Sequence, residues 1–401
     1  MIRAACSVCV LLCAWCRTSL AEEELITSIV GTSEAKNGWA VNYPKQRKIF
    51  HMAGLFWVFY SDGRDALYRT SADGVGWCEP ALLREGASVG HRFGCWFDGQ
   101  KVHYAFCSSE DGEDVVYRCG IPNADGTITW TVSEQVACEV PEGKNVMYPK
   151  VIVDDAGVPW IAFMLYDGGF RKPPYDALVT KASQAGGPWK TAPGFPRVLV
   201  NDNTTTYPDP LGVPLTKGKT FWVYNRDTPE EGYYGRCWSE QSWEAEETIA
   251  GSPFSHGLYS LAADGDEVHL IFGGGIIRYR KRDPEKGWSE DFQISDLGSG
   301  HTSITVTGPG GLIVTWLDTC TNTVHYREMI AGQWNAPRLW LDASREGLAD
   351  PELGINCNTI VASTEAVKVG LVCTTGTKPP FQIQFAAIRP VAHALPADPG
   401  K

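Results

Sequence analysis

One unit recurs along the chain: an alternating apolar strand, a polar turn, then a tryptophan that opens another strand. "ALYRTSADGVGW" ends at Trp77, "VVYRCGIPNADGTITW" at Trp130 and "ALVTKASQAGGPW" at Trp189. "GYYGRCWSEQSW" ends at Trp243, "IIRYRKRDPEKGW" at Trp288 and "TVHYREMIAGQW" at Trp334. Successive tryptophans stand 53, 59, 54, 45 and 46 residues apart. Ahead of each lies a hairpin with period-two alternation, such as "GLFWVFYSDG" or "EVHLIFGGG", often after a tight turn such as "FDGQ" or "ADGD". Seven such units start near residues 42, 90, 146, 204, 254, 300 and 355, and no amphipathic helix exceeds two turns. The pattern predicts an all-β fold: a seven-bladed β-propeller of four-stranded antiparallel blades.

The seventh unit supplies only three strands before "RPVAHALPADPGK". "ELITSIVGT" at 24–32 is expected to provide the fourth, closing the ring and hiding its open edge. "SEAKNGW" at 33–39 repeats the Ser-to-Trp spacing of "SADGVGW", which leaves a second N-terminal strand open. Before these, "MIRAACSVCVLLCAWCRTSLA" has a basic start, a short apolar run and a small-residue exit, the pattern of a cleaved secretory signal. The expected division is a signal peptide over 1–21, a propeller over 22–390 and a polar tail over 391–401.

Removing residues 1–21 takes away Arg3 and Arg17 and no acid, so the net charge moves from −12 to −14. A chain this acidic is a poor non-specific binder of nucleic acid, and an anionic ligand would need a local basic cluster. No later segment is apolar enough to cross a membrane as a helix. Of 13 cysteines, nine remain after the signal, an odd number without metal-ligand spacing. They read as buried small hydrophobes with one or two disulfides at most. No cofactor or metal is expected; a structural calcium is compatible with the fold, but no motif calls for one.

The Ser-x-Asp-Gly turn before Trp77 resembles the Asp-box of the sialidase and BNR-repeat superfamily, one residue short of the usual spacing. In that family the box joins the third and fourth strands of a blade, away from the active face. The resemblance therefore implies that Ser71 and Asp73 satisfy their own turn, and that Trp77 packs between blades. The architecture also resembles propeller lyases and rhamnosidases that attack glucuronate-containing polysaccharides with His, Tyr and Arg.

In a propeller, the functional face gathers the lead-ins to the innermost strands and the loops between second and third strands. The lead-ins here are unusually polar: "NYPKQRKIF", "VGHRFG", "NVMYPKV", "TTYPDPLG", "FSHGLYS", "SGHTSIT" and "GINCNTI". They nominate His91, Arg92, Tyr148, Tyr207 and His256 as catalytic residues. Lys150, Asp209, His301 and Asn356, with Arg171 and Arg226 from the loops, are nominated to bind substrate. His103, His269 and His325 sit inside alternating strands and read as packed or solvent-facing strand residues.

Three functions fit these types. Lysis beside a uronate needs a group that neutralises the carboxylate, a base for the C5 proton and an acid for the leaving oxygen, which His, Tyr and Arg supply. A sialidase-like exo-hydrolase is the second; Asp62 and Arg64 sit loosely where the first blade carries such residues, but "KQRKIFHM" replaces the family's Arg-Ile-Pro motif. A non-catalytic glycan-binding propeller is the third. The first is the expectation: a monomeric exported enzyme acting on an anionic carbohydrate, with neither nucleic acid nor membrane as partner.

Overall fold

A computed structural model describes residues 25–388, apart from 108–113, 168–171, 205–206, 228–229, 251–258, 274–275, 297–301, 319, 348–354 and 361–367. For 172, 355–360 and 368 it describes the backbone alone. The chain forms seven antiparallel sheets arranged as propeller blades. The first runs outward in chain order as Ile49–Met52, Leu55–Ser61, Ala66–Ser71 and Ala81–Arg84. The next five repeat this order from 93, 144, 211, 259 and 303.

The expected four strands become five in the fourth, fifth and sixth sheets, because the outer strand breaks just after its tryptophan. Ser242–Trp243 and Glu247–Ala250 both pair with Gly232–Ser239, for example. The break is a local turn tied back to the third strand, Glu244 N donating to Cys237 O at 2.9 Å. The seventh sheet runs Ile355–Ile360, Lys368–Thr375, Phe381–Ile388 and then Ile26–Ser33. Its outer pairing extends from Ile26 opposite Ala387 to Ser33 opposite Phe381. Its innermost strand packs against those of both the first and the sixth sheets. The second N-terminal strand left open by "SEAKNGW" is a 3-10 turn at Lys36–Gly38 instead.

The turn before Trp77 satisfies itself. Asp73 Oδ1 accepts from Val75 N (2.8 Å), Gly76 N (2.9 Å) and the Ser71 hydroxyl (2.9 Å), and Gly74 N donates to Ser71 Oγ at 2.9 Å. These backbone donors favour the ionised carboxylate and lower its pKa. Trp77 Nε1 donates to Ser28 Oγ at 2.9 Å, and its ring meets Phe385 edge-on at 5.2 Å. The first blade's tryptophan thus leans on the seventh sheet. Others lean on the preceding blade in the same way: Trp189 on Tyr117, Trp288 on Phe221 and Trp334 on Tyr279. The tryptophan period is therefore the period of blade-to-blade packing.

The eight cysteines whose side chains are described are all free thiols, most of them buried. No disulfide joins them: Cys95, Cys119, Cys237 and Cys373 are buried strand residues, whereas Cys78 and Cys320 are exposed outside the strands.

Candidate functional site

The lead-ins of the first three blades meet at one end of the propeller axis. Gly90–Arg92 is a single 3-10 turn before the strand Phe93–Phe97. Its glycines are explained by crowding rather than by left-handed backbone. A Cβ on Gly90 would stand 2.4 Å from Ala40 O, and one on Gly94 2.7 Å from Pro149 O. Gln46 completes the seam, its Nε2 donating to His91 O (2.9 Å) and Pro149 O (3.1 Å).

His91 stands in a shell of rings. Ring centroids lie 5.5 Å away at Trp39, 6.4 Å at Tyr43 and 5.4 Å at Tyr148. Tyr43 and Tyr148 meet edge-on at 4.8 Å, and the line continues through Tyr207 (6.2 Å from Tyr148) to Tyr175 (4.8 Å further). His91 and Tyr148 are buried, while Trp39 and Tyr207 are half-exposed and form the rim.

Beneath the rings lies an ion triad. Lys45 and Lys150 each place an ammonium on one oxygen of the Asp209 carboxylate, and all three side chains are almost fully buried. Burial, then repulsion from Lys150, holds Lys45 well below the usual lysine range; burial does the same to Lys150. The two groups of residues come from one repeated tripeptide: Tyr43-Pro-Lys45, Tyr148-Pro-Lys150 and Tyr207-Pro-Asp209. In blades one, three and four the tyrosine joins the rings and the residue two positions on joins the triad. Backbone strain gathers at the same places, with φ of 38° at Asn42, 47° at Arg47, 57° at Tyr148 and 37° at Asp209. Such conformations in non-glycine residues each cost about 1–3 kcal/mol and collect where geometry serves a site.

The structure thus brings His91, Tyr148 and Tyr207 into one cluster. Arg92 points sideways, its guanidinium donating to Gly86 O of the first blade's outer loop at 3.1 Å. Lys150 and Asp209, nominated as substrate ligands, are floor residues that hold each other. Arg226 pairs with Glu246 and lies 3.7 Å over the Tyr234 ring. Neighbouring charges, invisible in a linear reading, occupy all three. His256, Arg171 and His301 lie outside the described residues. Asn356 lies on the seventh blade's innermost strand opposite Val372, and its side chain is likewise outside the description. Trp39, Tyr43, Lys45 and Tyr175 belong to the site and were not nominated. The signal for two of them was the threefold Tyr-Pro-Lys/Asp pattern.

The strand histidines have fixed partners. His103 joins Tyr117 OH (2.7 Å) and Asp98 (2.9 Å), and His269 joins Tyr279 OH (2.8 Å).

No family model and no curated protein matches the chain. Solved structures do. An ulvan lyase, from a new family of polysaccharide lyases and bound to -[GlcA(1-4)Rha3S]-, aligns with a TM-score of 0.53 at 10% identity, over 88% of this chain and 94% of that chain. A protein of unknown function from Dyadobacter fermentans aligns with a TM-score of 0.51 at 12% identity, over 75% and 94% of the two chains. A Hadza microbial sialidase aligns with a TM-score of 0.47 at 12% identity, over 80% and 73%. The likeness shows the fold.

Proposed function

We propose that the protein is an exported carbohydrate-active enzyme that breaks a glycosidic bond beside an acidic sugar by β-elimination. One observation carries the reading: the His91 and Tyr148 rings stand edge-on at 5.4 Å, with Trp39 and Tyr207 on either side of them. One of this pair takes the proton from C5 of the uronate as the C4–O bond breaks and a C4–C5 double bond forms. The other protonates the departing oxygen. Trp39, Tyr43 and Tyr207 offer flat apolar faces to a sugar ring. Two ammonium groups share one carboxylate below them, so an arriving carboxylate adds counter-charge and favours the charged form of both lysines.

Hydrolysis fits less well. Most glycosidases need two carboxyl groups flanking the scissile bond. The carboxylate that the triad brings beneath the rings is Asp209, and two lysines occupy it. The fold shared with an ulvan lyase that binds a glucuronate-containing ligand agrees with this preference.

The test is to incubate the mature protein with uronate-containing and neutral polysaccharides, following unsaturated-uronate absorbance and new reducing ends together. Absorbance rising with reducing ends on uronate substrates alone is the expected result. Reducing ends without absorbance would make it a hydrolase. Binding without either product would make it a glycan-binding propeller.

A further inference from the structure

Below the ion triad the propeller axis is hollow. A cavity of about 590 Å³ begins beneath Pro44 and Lys45 and extends to the far ends of the innermost strands, at residues such as Met52, Pro214 and Val306. Most of its wall is apolar, with Ser260, Ser303 and Thr305 adding hydroxyl groups. No Asp or Glu lines it among the described residues. The seventh blade's innermost strand reads "INCNTI", so it brings no acid either. The acid at the end of an innermost strand, Asp264, accepts from Gly310 N at 3.0 Å and does not line the cavity.

Into this space the first blade sends Arg47. Its guanidinium lies 3.8 Å over the Trp96 ring. Among the described residues it makes no side-chain hydrogen bond and no ion pair, whereas Lys45, on the same turn, is held by Asp209. Desolvation lowers its pKa to about 10. A guanidinium still carries its charge there at neutral pH, and its contact among the described residues is the Trp96 indole face. A half-buried cation in that position is stabilised by an anion that accepts its forked N–H donors.

The geometry points to a second ligand site on the propeller axis, separate from the funnel, that takes a small organic carboxylate with an apolar body. The carboxylate meets Arg47 beside Trp96, and the body fills the apolar wall toward Leu261 and Ile304. The volume lies in the ordinary range for small-molecule pockets. A bare inorganic polyanion does not suit it, because Lys45 at its edge is already held by Asp209 and the largely apolar wall leaves most of such a charge unmatched. The Pro44–Gln46 turn divides this chamber from His91 and Tyr148, so the site is independent of the reaction proposed above.

The test uses the intact mature protein with benzoate and hexanoate, against benzyl alcohol and hexanol as uncharged analogues, by ligand-observed NMR titration. Saturable binding of the acids is expected, with the alcohols at least about tenfold weaker, the ratio one charge-assisted contact provides. Arg47→Met should erase that preference, with circular dichroism confirming the fold. Thr305→Phe, which keeps Arg47 and narrows the chamber from the sixth blade, should block benzoate, and it answers the question if Arg47→Met fails to fold. Absence of saturable acid binding to the wild type, equal affinity for acid and alcohol, or a preference that survives Arg47→Met would each overturn the proposal.

Discussion

His91 is 5% exposed and ringed by Trp39, Tyr43 and Tyr148, so truncation to alanine would open a hole as well as remove the imidazole. His91→Gln keeps most of the volume and is the cleaner probe. It should lower turnover on the active polysaccharide by about 10²–10⁴-fold, the range for one general acid–base group, with little change in melting temperature. A folded His91→Gln protein with wild-type turnover would remove the residue from the mechanism. Lys48 makes a different residue-scale prediction. Its ammonium donates to Phe93 O and lies 3.6 Å over the Phe93 ring, and burial pulls its pKa down to about 7. The unfolded chain holds that proton up to about pH 10.4. Between these values the unfolded state binds the extra proton, so Lys48 makes stability rise with pH, by at most roughly 1.4 kcal/mol per pH unit. Below pH 7 the unfavourable burial of the charge is fully present. Lys48→Met removes this dependence. Denaturant unfolding of both proteins from pH 7 to 10 should show the wild type gaining on the variant as pH rises; a constant difference would refute the shifted lysine.

At the scale of the element, the Trp turns were legible and the lead-ins only in part. A turn that satisfies its own backbone leaves a local signature, and Ser71, Asp73 and Trp77 sit within seven residues. The same holds for the alternating strands, whose period survives any tertiary detail. The lead-ins are different because their meaning is set between blades. Lys150 and Asp209 read as polar groups at strand mouths, and only the fold shows that they reach each other across the axis with Lys45. Gly90 and Gly94 carry no local signature of their role, because the structure needs them for close approach to Ala40 and Pro149, from other parts of the chain. Trp39 read as another blade turn and instead flanks His91. The Trp turn has its own test. Trp77 is half-buried, bonded to Ser28 and packed on Phe385, so Trp77→Ala should cost about 1–3 kcal/mol and leave activity per folded molecule unchanged. Loss of activity at unchanged stability would give this turn a chemical role.

For the whole molecule, the first and last parts of the chain depend on one another. Ile26–Ser33 pairs along Phe381–Ile388, and Ser28 on that strand both accepts from Trp77 and donates to Gly74 O at 2.6 Å. One short strand therefore serves as the outer edge of the seventh sheet and as the seat for the first blade's turn. Without it, Phe381–Ile388 becomes an open edge, and Phe385 loses cover on the side where Trp77 now packs. The blades otherwise share continuous apolar seams, such as Val30, Val58, Val372 and Phe385 between the first and seventh sheets. Such seams transmit unfolding from one blade to the next, which favours a single transition over piecemeal loss. The mature chain should thus unfold cooperatively, with calorimetric and van't Hoff enthalpies in agreement. A chain starting at residue 34 should melt well below it and tend to associate through the exposed edge, while a synthetic peptide of residues 25–33 added in excess should restore part of the lost melting temperature. Two separated transitions in the mature chain, or an unchanged melting temperature in the shortened one, would show that the ring does not depend on this strand.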